Sequence, residues 1–219
     1  MIDGIQVKIC GLTSPGDADV AAASGADYLG FILHPGSPRC VTQGDFRAMA
    51  GRLPKRPRVA VCVEPAPGAL SAMRGAGFDL FQVHFRHDIP VATIEACSRE
   101  VGMDKLWLAP KLPPGVDVPE AWLALAPCIL LDTFDPILFG GTGRTGDWPK
   151  FRRHAEAHPE KTWILSGDLT PGNVGAALAG TGAHFVDVNS GVESAPGVKD
   201  HGKLRAFFAA VRGAAGAVA

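Results

Sequence analysis

Two hydrophobic periods take turns along this chain. Short apolar runs, rich in β-branched residues, fall at 7–10, 28–33, 58–63, 80–84, 105–109, 128–132, 162–166 and 184–188. Within each run the apolar character is nearly continuous, as it is in strands buried on both faces of a parallel sheet. Between the runs the helical period returns, at 14–24, 42–53, 68–74, 91–101, 148–158, 171–179 and 199–213. Ser14 followed by Pro15 marks the first helix start, because a hydroxyl can cap the free N–H groups and proline presets the helical φ. Pro110, Pro113, Pro114, Pro119 and Pro127 crowd one interval. The helix after the fifth strand is therefore expected to be short or missing.

Eight strand–helix units in 219 residues predict an α/β chain folded as a single (β/α)8 TIM barrel domain spanning 1–219. An open, doubly wound sheet is the alternative. Its first strand–helix turn should carry a glycine fingerprint, which Cys10-Gly11-Leu12-Thr13 lacks.

A barrel of this kind keeps its chemistry at the C-terminal ends of its strands. Those ends read Cys10, then 34–39, Glu64, Gln82 and His84, Lys111, Asp132, Ser166-Gly167 and 189–191. Strand alternation puts Val7 and Ile9 on one side and Lys8 and Cys10 on the other. Cys10 is then either a base or nucleophile at the mouth or a packed core thiol. Lys8, facing inward, is expected to be structural and to pair with Asp187 or another inward acid. A carboxyl group at Asp132, leaving an apolar strand, can be kept protonated by burial and serve as a general acid; capping a loop is its other reading. Arg39 can clamp a carboxylate through paired N–H donors, or sit solvated on the surface. Ser166-Gly167 and Ser190-Gly191 follow strands seven and eight, where barrels often hold phosphate on backbone N–H groups. The flexible run 140–143 (GGTG) has no Lys-Ser or Lys-Thr after it and is not a P-loop.

Composition narrows the partners. Lys plus Arg (21) nearly balance Asp plus Glu (22), for a net charge of −1, so no basic surplus points to nucleic acid. No apolar run is long enough for a membrane span, and the N-terminus does not read as a signal peptide. The five cysteines are scattered, without paired CxxC spacing. Reduced thiols and a cytoplasmic location are expected.

Taken together the motifs resemble the phosphoribosylanthranilate isomerase family of tryptophan biosynthesis. They are VKICGLT (7–13), GADYLGFILHPGSPRCV (25–41), VAVCV (59–63), QVH (82–84), LLDT (130–133), GGTG (140–143), LSG with PGNV (165–174) and VDVNSGVESAPGVKD (186–200). The resemblance implies an Amadori rearrangement of N-(5-phosphoribosyl)anthranilate to the 1-deoxyribulose 5-phosphate, with no metal and no cofactor. It implies Asp132 as general acid, Cys10 as the thiolate base, Arg39 on the anthranilate carboxylate, and the backbone at Gly167, Ser190 and Gly191 on the phosphate. The expected substrate contacts are Arg39, His84, Gly141, Ser166, Gly167, Asp187, Ser190 and Gly191. The substrate is a small phosphorylated aminosugar, and the enzyme is expected as a monomer or homodimer.

Three positions depart from the family pattern. Phe85 replaces a glycine and is expected to narrow the mouth beside His84. Gly146 stands where an aromatic residue is usual. Asp168 replaces a glycine after LSG; there it is expected to turn away from the phosphate and cap a helix beginning near Pro171. These departures keep a second reading open, an inactive sugar-phosphate-binding barrel acting as a regulatory or interaction subunit. Indole-glycerol-phosphate synthase would also fit two phosphate loops but should carry a lysine in place of Cys10. A second aminoaldose substrate is not expected, since Cys10 occupies the place where that reaction uses an acid.

Overall fold

The computed structural model describes residues 1–132 and 147–215. Eight parallel strands pair in sequence order and close on themselves. They are β1 (Gln6–Ile9), β2 (Tyr28–Ile32), β3 (Arg58–Val63), β4 (Leu80–Arg86), β5 (Leu106–Lys111), β6 (Cys128–Leu131), β7 (Thr162–Leu165) and β8 (Phe185–Val188). Closure comes from β1 against β8, with Lys8 opposite Asp187.

The helices between them are α1 (Pro15–Ser24), α2 (Gln43–Ala50), α3 (Ala69–Ala76), α4 (Val91–Val101), α5 (Glu120–Leu123), α6 (Trp148–Ala157), α7 (Val174–Thr181) and α8 (His201–Ala215). Ser14 caps α1 by accepting from the Asp17 N–H at 3.2 Å, and Thr42 forms a reciprocal capping box with Asp45. The single turn of α5 agrees with its proline-rich surroundings.

Two helix starts differ from the sequence expectation by more than one residue. α7 begins at Val174 rather than 171 because Asn173 Oδ1 accepts from the Thr170 N–H at 2.7 Å, holding Pro171 and Gly172 in a turn. The last helix begins at His201 rather than 199 because β10 (Val198–Lys199) pairs antiparallel with β9 (Glu193–Ala195). A two-residue strand is too short to reveal itself by period.

The pleat sorts side chains into two cores. Val7, Ile9, Phe31, Phe81 and Phe85 face outward and pack under the helices. Cys10, Val59, Val61, Trp107, Ala109, Cys128, Leu130, Ile164 and Phe185 fill the barrel interior. Phe85 is fully buried and meets Trp122 edge-on, with ring centroids 5.0 Å apart. The expectation that Phe85 narrows the mouth is therefore corrected: its neighbour His84 points in, so Phe85 must point out.

At the N-terminal end of the barrel, Tyr28, Trp107 and Phe185 close the interior. Tyr28 stacks on Phe185 at 5.1 Å. It also meets Trp107 edge-on at 5.1 Å, and Gln6 Nε2 donates to its hydroxyl at 3.2 Å. Among the described residues, no helix is long and apolar enough to cross a membrane.

Candidate active site

The opposite end is polar. Lys8 lies inside the barrel with no exposed surface, and its ammonium donates to Asp187 Oδ2 at 2.8 Å. Gly30 makes the space: a Cβ there would lie 2.8 Å from Lys8 Cε. Two residues along the same face, Cys10 reaches the cavity at the strand ends, and its N–H donates to the Val188 carbonyl at 2.9 Å. Burial pushes the Cys10 thiol above its ordinary pKa. The Lys8 ammonium, within hydrogen-bond reach, pulls it back, and Asp187 adds a further upward push. The Lys8 pKa stays raised despite its burial, because Asp187 and Cys10 outweigh desolvation.

On β4, Gln82 and His84 face the same way, two residues apart. Gln82 Nε2 and His84 Nε2 are 2.8 Å apart. Burial, with the Lys8 and His34 charges behind it, pulls the His84 pKa down to about 3, so the ring is neutral. A neutral ring nitrogen facing an amide N–H accepts from it, which puts the proton on Nδ1.

The structure brings the expected residues together unevenly. Cys10, His84, Asp132 and Asp187 line one cavity. Ser166, Gly167 and Ser190 line it as well. Asp132 directly follows β6, three strands round the barrel from β1. Gly141, Gly146 and the GGTG run lie outside the described residues.

Arg39 and Gly191 are not in the cavity lining. Glu193 grips the Arg39 guanidinium, accepting from Nε at 2.9 and 3.0 Å and from Nη2 at 2.7 Å; Nη1 lies outside that grip. Burial would raise the Glu193 pKa, but Arg39 and Lys199 together hold it below the usual carboxylate value. Lys199 Nζ bonds Glu193 Oε1 and Asn189 Oδ1, both at 2.9 Å. The Asn189 and Arg39 side chains meet over Gly11, where a Cβ would lie 2.4 Å from Asn189 Oδ1 and 2.9 Å from Arg39 Cδ. Gly191 serves close packing: a Cβ would fall 1.9 Å from the Leu169 carbonyl oxygen, so loops seven and eight touch there.

The expectation for Asp168 is corrected. It belongs to the cavity wall and has a left-handed φ of 46°. The helix start belongs instead to Asn173, whose Nδ2 donates to the Asp168 carbonyl at 2.9 Å. Sequence reading placed Gln82 and Asn189 at strand ends without giving them a role, and passed over Glu193 and Lys199. Only Gln82 carried a usable signal, its i, i+2 spacing from His84 on one strand.

A family model described as N-(5'-phosphoribosyl)anthranilate isomerase matches residues 7–210. The chain belongs to that family. Curated members of the isomerase family align end to end with it. The Paramagnetospirillum magneticum enzyme is 38% identical, over 95% of this chain and 98% of its own. The Granulibacter bethesdensis enzyme is 37% identical, over 95% and 99%. Among solved structures, the isomerase of Thermotoga maritima superposes with a TM-score of 0.78 at 32% identity, covering 95% of this chain and 99% of its own. An isomerase solved with reduced 1-(o-carboxyphenylamino)-1-deoxyribulose 5-phosphate superposes with a TM-score of 0.74 at 31% identity, over 95% and 99%.

Proposed function

We propose that this chain is a phosphoribosylanthranilate isomerase of tryptophan biosynthesis, working with Cys10 as base and Asp132 as acid. The observation that carries the residue assignment is that both side chains line one cavity at the barrel mouth in a chain of this family. Asp132, protonated, gives its proton to the ribose ring oxygen. The bond from that oxygen to the first sugar carbon breaks, and the anthranilate nitrogen supplies the electron pair that makes the imine. Cys10, as thiolate, then takes the proton from the second carbon, leaving an enolamine that relaxes to the ketone. Lys8 favours the thiolate by its charge.

The carboxylate of the substrate is assigned to Arg39 through Nη1. Its phosphate goes to the backbone of Ser166, Gly167, Ser190 and Gly191, with Gly141 as a further contact. His84 and Asp187 are assigned to the sugar. We read the whole chain as one catalytic unit, a monomer or homodimer, acting in the cytoplasm, where its five free cysteines stay reduced. The inactive-barrel alternative loses one of its motives, since Phe85 does not face the mouth.

Phosphoribosylanthranilate is fluorescent, so its consumption tests the reading directly. Wild type is expected to turn over. Cys10→Ala and Asp132→Asn are each expected to fall by about 100-fold or more in kcat while staying folded, the scale of one lost proton-transfer group. An inert wild type that still binds a phosphorylated product analogue would replace this reading with the inactive barrel.

A further inference from the structure

Two buried acceptor atoms on the cavity wall have no hydrogen-bond partner among the described residues: Gln82 Oε1 and Asp187 Oδ1. Gln82 is 1% exposed and Asp187 6%. The other polar atom of each side chain is already committed, Gln82 Nε2 to His84 and Asp187 Oδ2 to Lys8. Those commitments fix which way each group points. A buried acceptor without a donor is costly, and two in one cavity describe what should fill it. The occupant must bring O–H or N–H groups to the centre of the barrel, between the loops after strands seven and eight and the Arg39 side.

We propose that Gln82 Oε1 and Asp187 Oδ1 form a two-acceptor pair on the cavity wall that binds hydroxyl groups of the sugar chain, making Gln82 a specificity-determining residue. This deepens the isomerase reading and rests on it. Asp187 is a carboxylate pinned by Lys8, so it presents an acceptor and no donor. Gln82 presents an acceptor because its amide nitrogen is turned toward His84, which leaves the carbonyl oxygen facing the cavity. Neither atom rewards an apolar chain, and both reward a polyol. A site built to hydrogen-bond a hydroxyl discriminates strongly against an analogue without it, because its own polar atoms are then left unpaired. The selected chemistry is thus a hydroxylated chain between an aromatic carboxylate and a phosphate.

The test uses two probes of equal reach, with binding followed by calorimetry on the full chain. One is the reduced product, 1-(2-carboxyphenylamino)-1-deoxyribitol 5-phosphate. The other is 5-(2-carboxyphenylamino)pentyl phosphate, which keeps both anions and lacks every hydroxyl. Wild type is expected to bind the polyol at least tenfold more tightly. In Gln82→Leu and Gln82→Met that preference is expected to shrink by roughly tenfold, the scale of one lost hydrogen bond, with affinity for the pentyl probe preserved. A merely structural role would weaken both probes alike and overturn the proposal. Equal binding of both probes by wild type would do the same, by assigning the two acceptors to water that the ligand leaves in place. If wild type binds neither probe, the isomerase reading falls and takes this inference with it.

Discussion

The two ends of the barrel interior are built from inward-facing positions of the same or neighbouring strands, and they do opposite things. At the N-terminal end Tyr28, Trp107 and Phe185 pack ring on ring, with the Tyr28 hydroxyl satisfied by Gln6. At the C-terminal end Lys8, Gln82 and Asp187 are buried too, yet they are charged or polar, and two of their oxygens lack partners among the described residues. Burial is therefore not the difference. The floor spends buried area on dispersion and the hydrophobic effect. The mouth uses the same dryness to keep His84 neutral and to make the state of the Cys10 thiol responsive to its neighbours, while Asp187 and Cys10 keep Lys8 charged against it.

The largest expected effect joins the two ends. Lys8→Met fills the same space without the ammonium and leaves the Asp187 carboxylate buried beside no cation. Breaking a buried pair from one side costs about 3–5 kcal/mol, to be read from a urea unfolding curve. The substitution also removes the charge that favours the Cys10 thiolate. Because burial already raises the Cys10 pKa, and a base works only when deprotonated, kcat/KM of wild type is expected to rise with pH toward and beyond the ordinary thiol range. In Lys8→Met this rise should move to still higher pH. An unchanged profile with lost stability would make Lys8 purely structural.

Next is the floor. Phe185→Ala opens a cavity between Tyr28 and Trp107 and is expected to cost about 3 kcal/mol, near the low end for such a truncation because both neighbouring rings can close on part of the space. Activity per folded molecule at low temperature should stay within a few-fold of wild type. A loss of 100-fold would mean that floor and mouth are not separable.

How far each end was legible in the sequence follows the same division. The eight strands were readable because buried parallel strands are apolar almost without interruption, and five prolines foretold the truncated α5. Inward and outward sides were readable at Lys8 and Cys10, because alternation from one residue sets the next; the same rule, applied to His84, would have sent Phe85 outward. What stayed hidden depends on contacts between distant parts of the chain. Glu193 lies 154 positions from Arg39, so nothing local announces that it takes the Nε and Nη2 donors of that guanidinium. Nor does period reveal that Lys199 sits in a two-residue strand and steadies Asn189. The i, i+2 pair of Gln82 and His84 was visible, but its orphaned oxygen needed the closed barrel.

The smallest effect sharpens the comparison at its edge. Asp168 stands at the mouth in a left-handed conformation, with φ of 46°, where a side chain brings strain that glycine avoids. Asp168→Gly relieves that strain and also gives the unfolded chain more freedom, which offsets part of the gain. The net expectation is a stabilisation of about 0.5 kcal/mol, seen as a higher urea midpoint at unchanged slope. The second readout concerns charge. Asp168 lies on the cavity wall beside Gly167, the proposed phosphate contact, and a carboxylate there repels a phosphate across a poorly screened gap. KM should therefore fall in Asp168→Gly while kcat holds, and the fall should shrink as salt is added. Asp168→Asn separates the two causes, because it removes the charge and keeps a side chain in the left-handed position. A KM that drops in both variants, with stability gained only in the glycine variant, would mean that the mouth tolerates backbone strain and charge repulsion at one residue through two independent mechanisms. A KM unchanged in both would place the phosphate away from this loop.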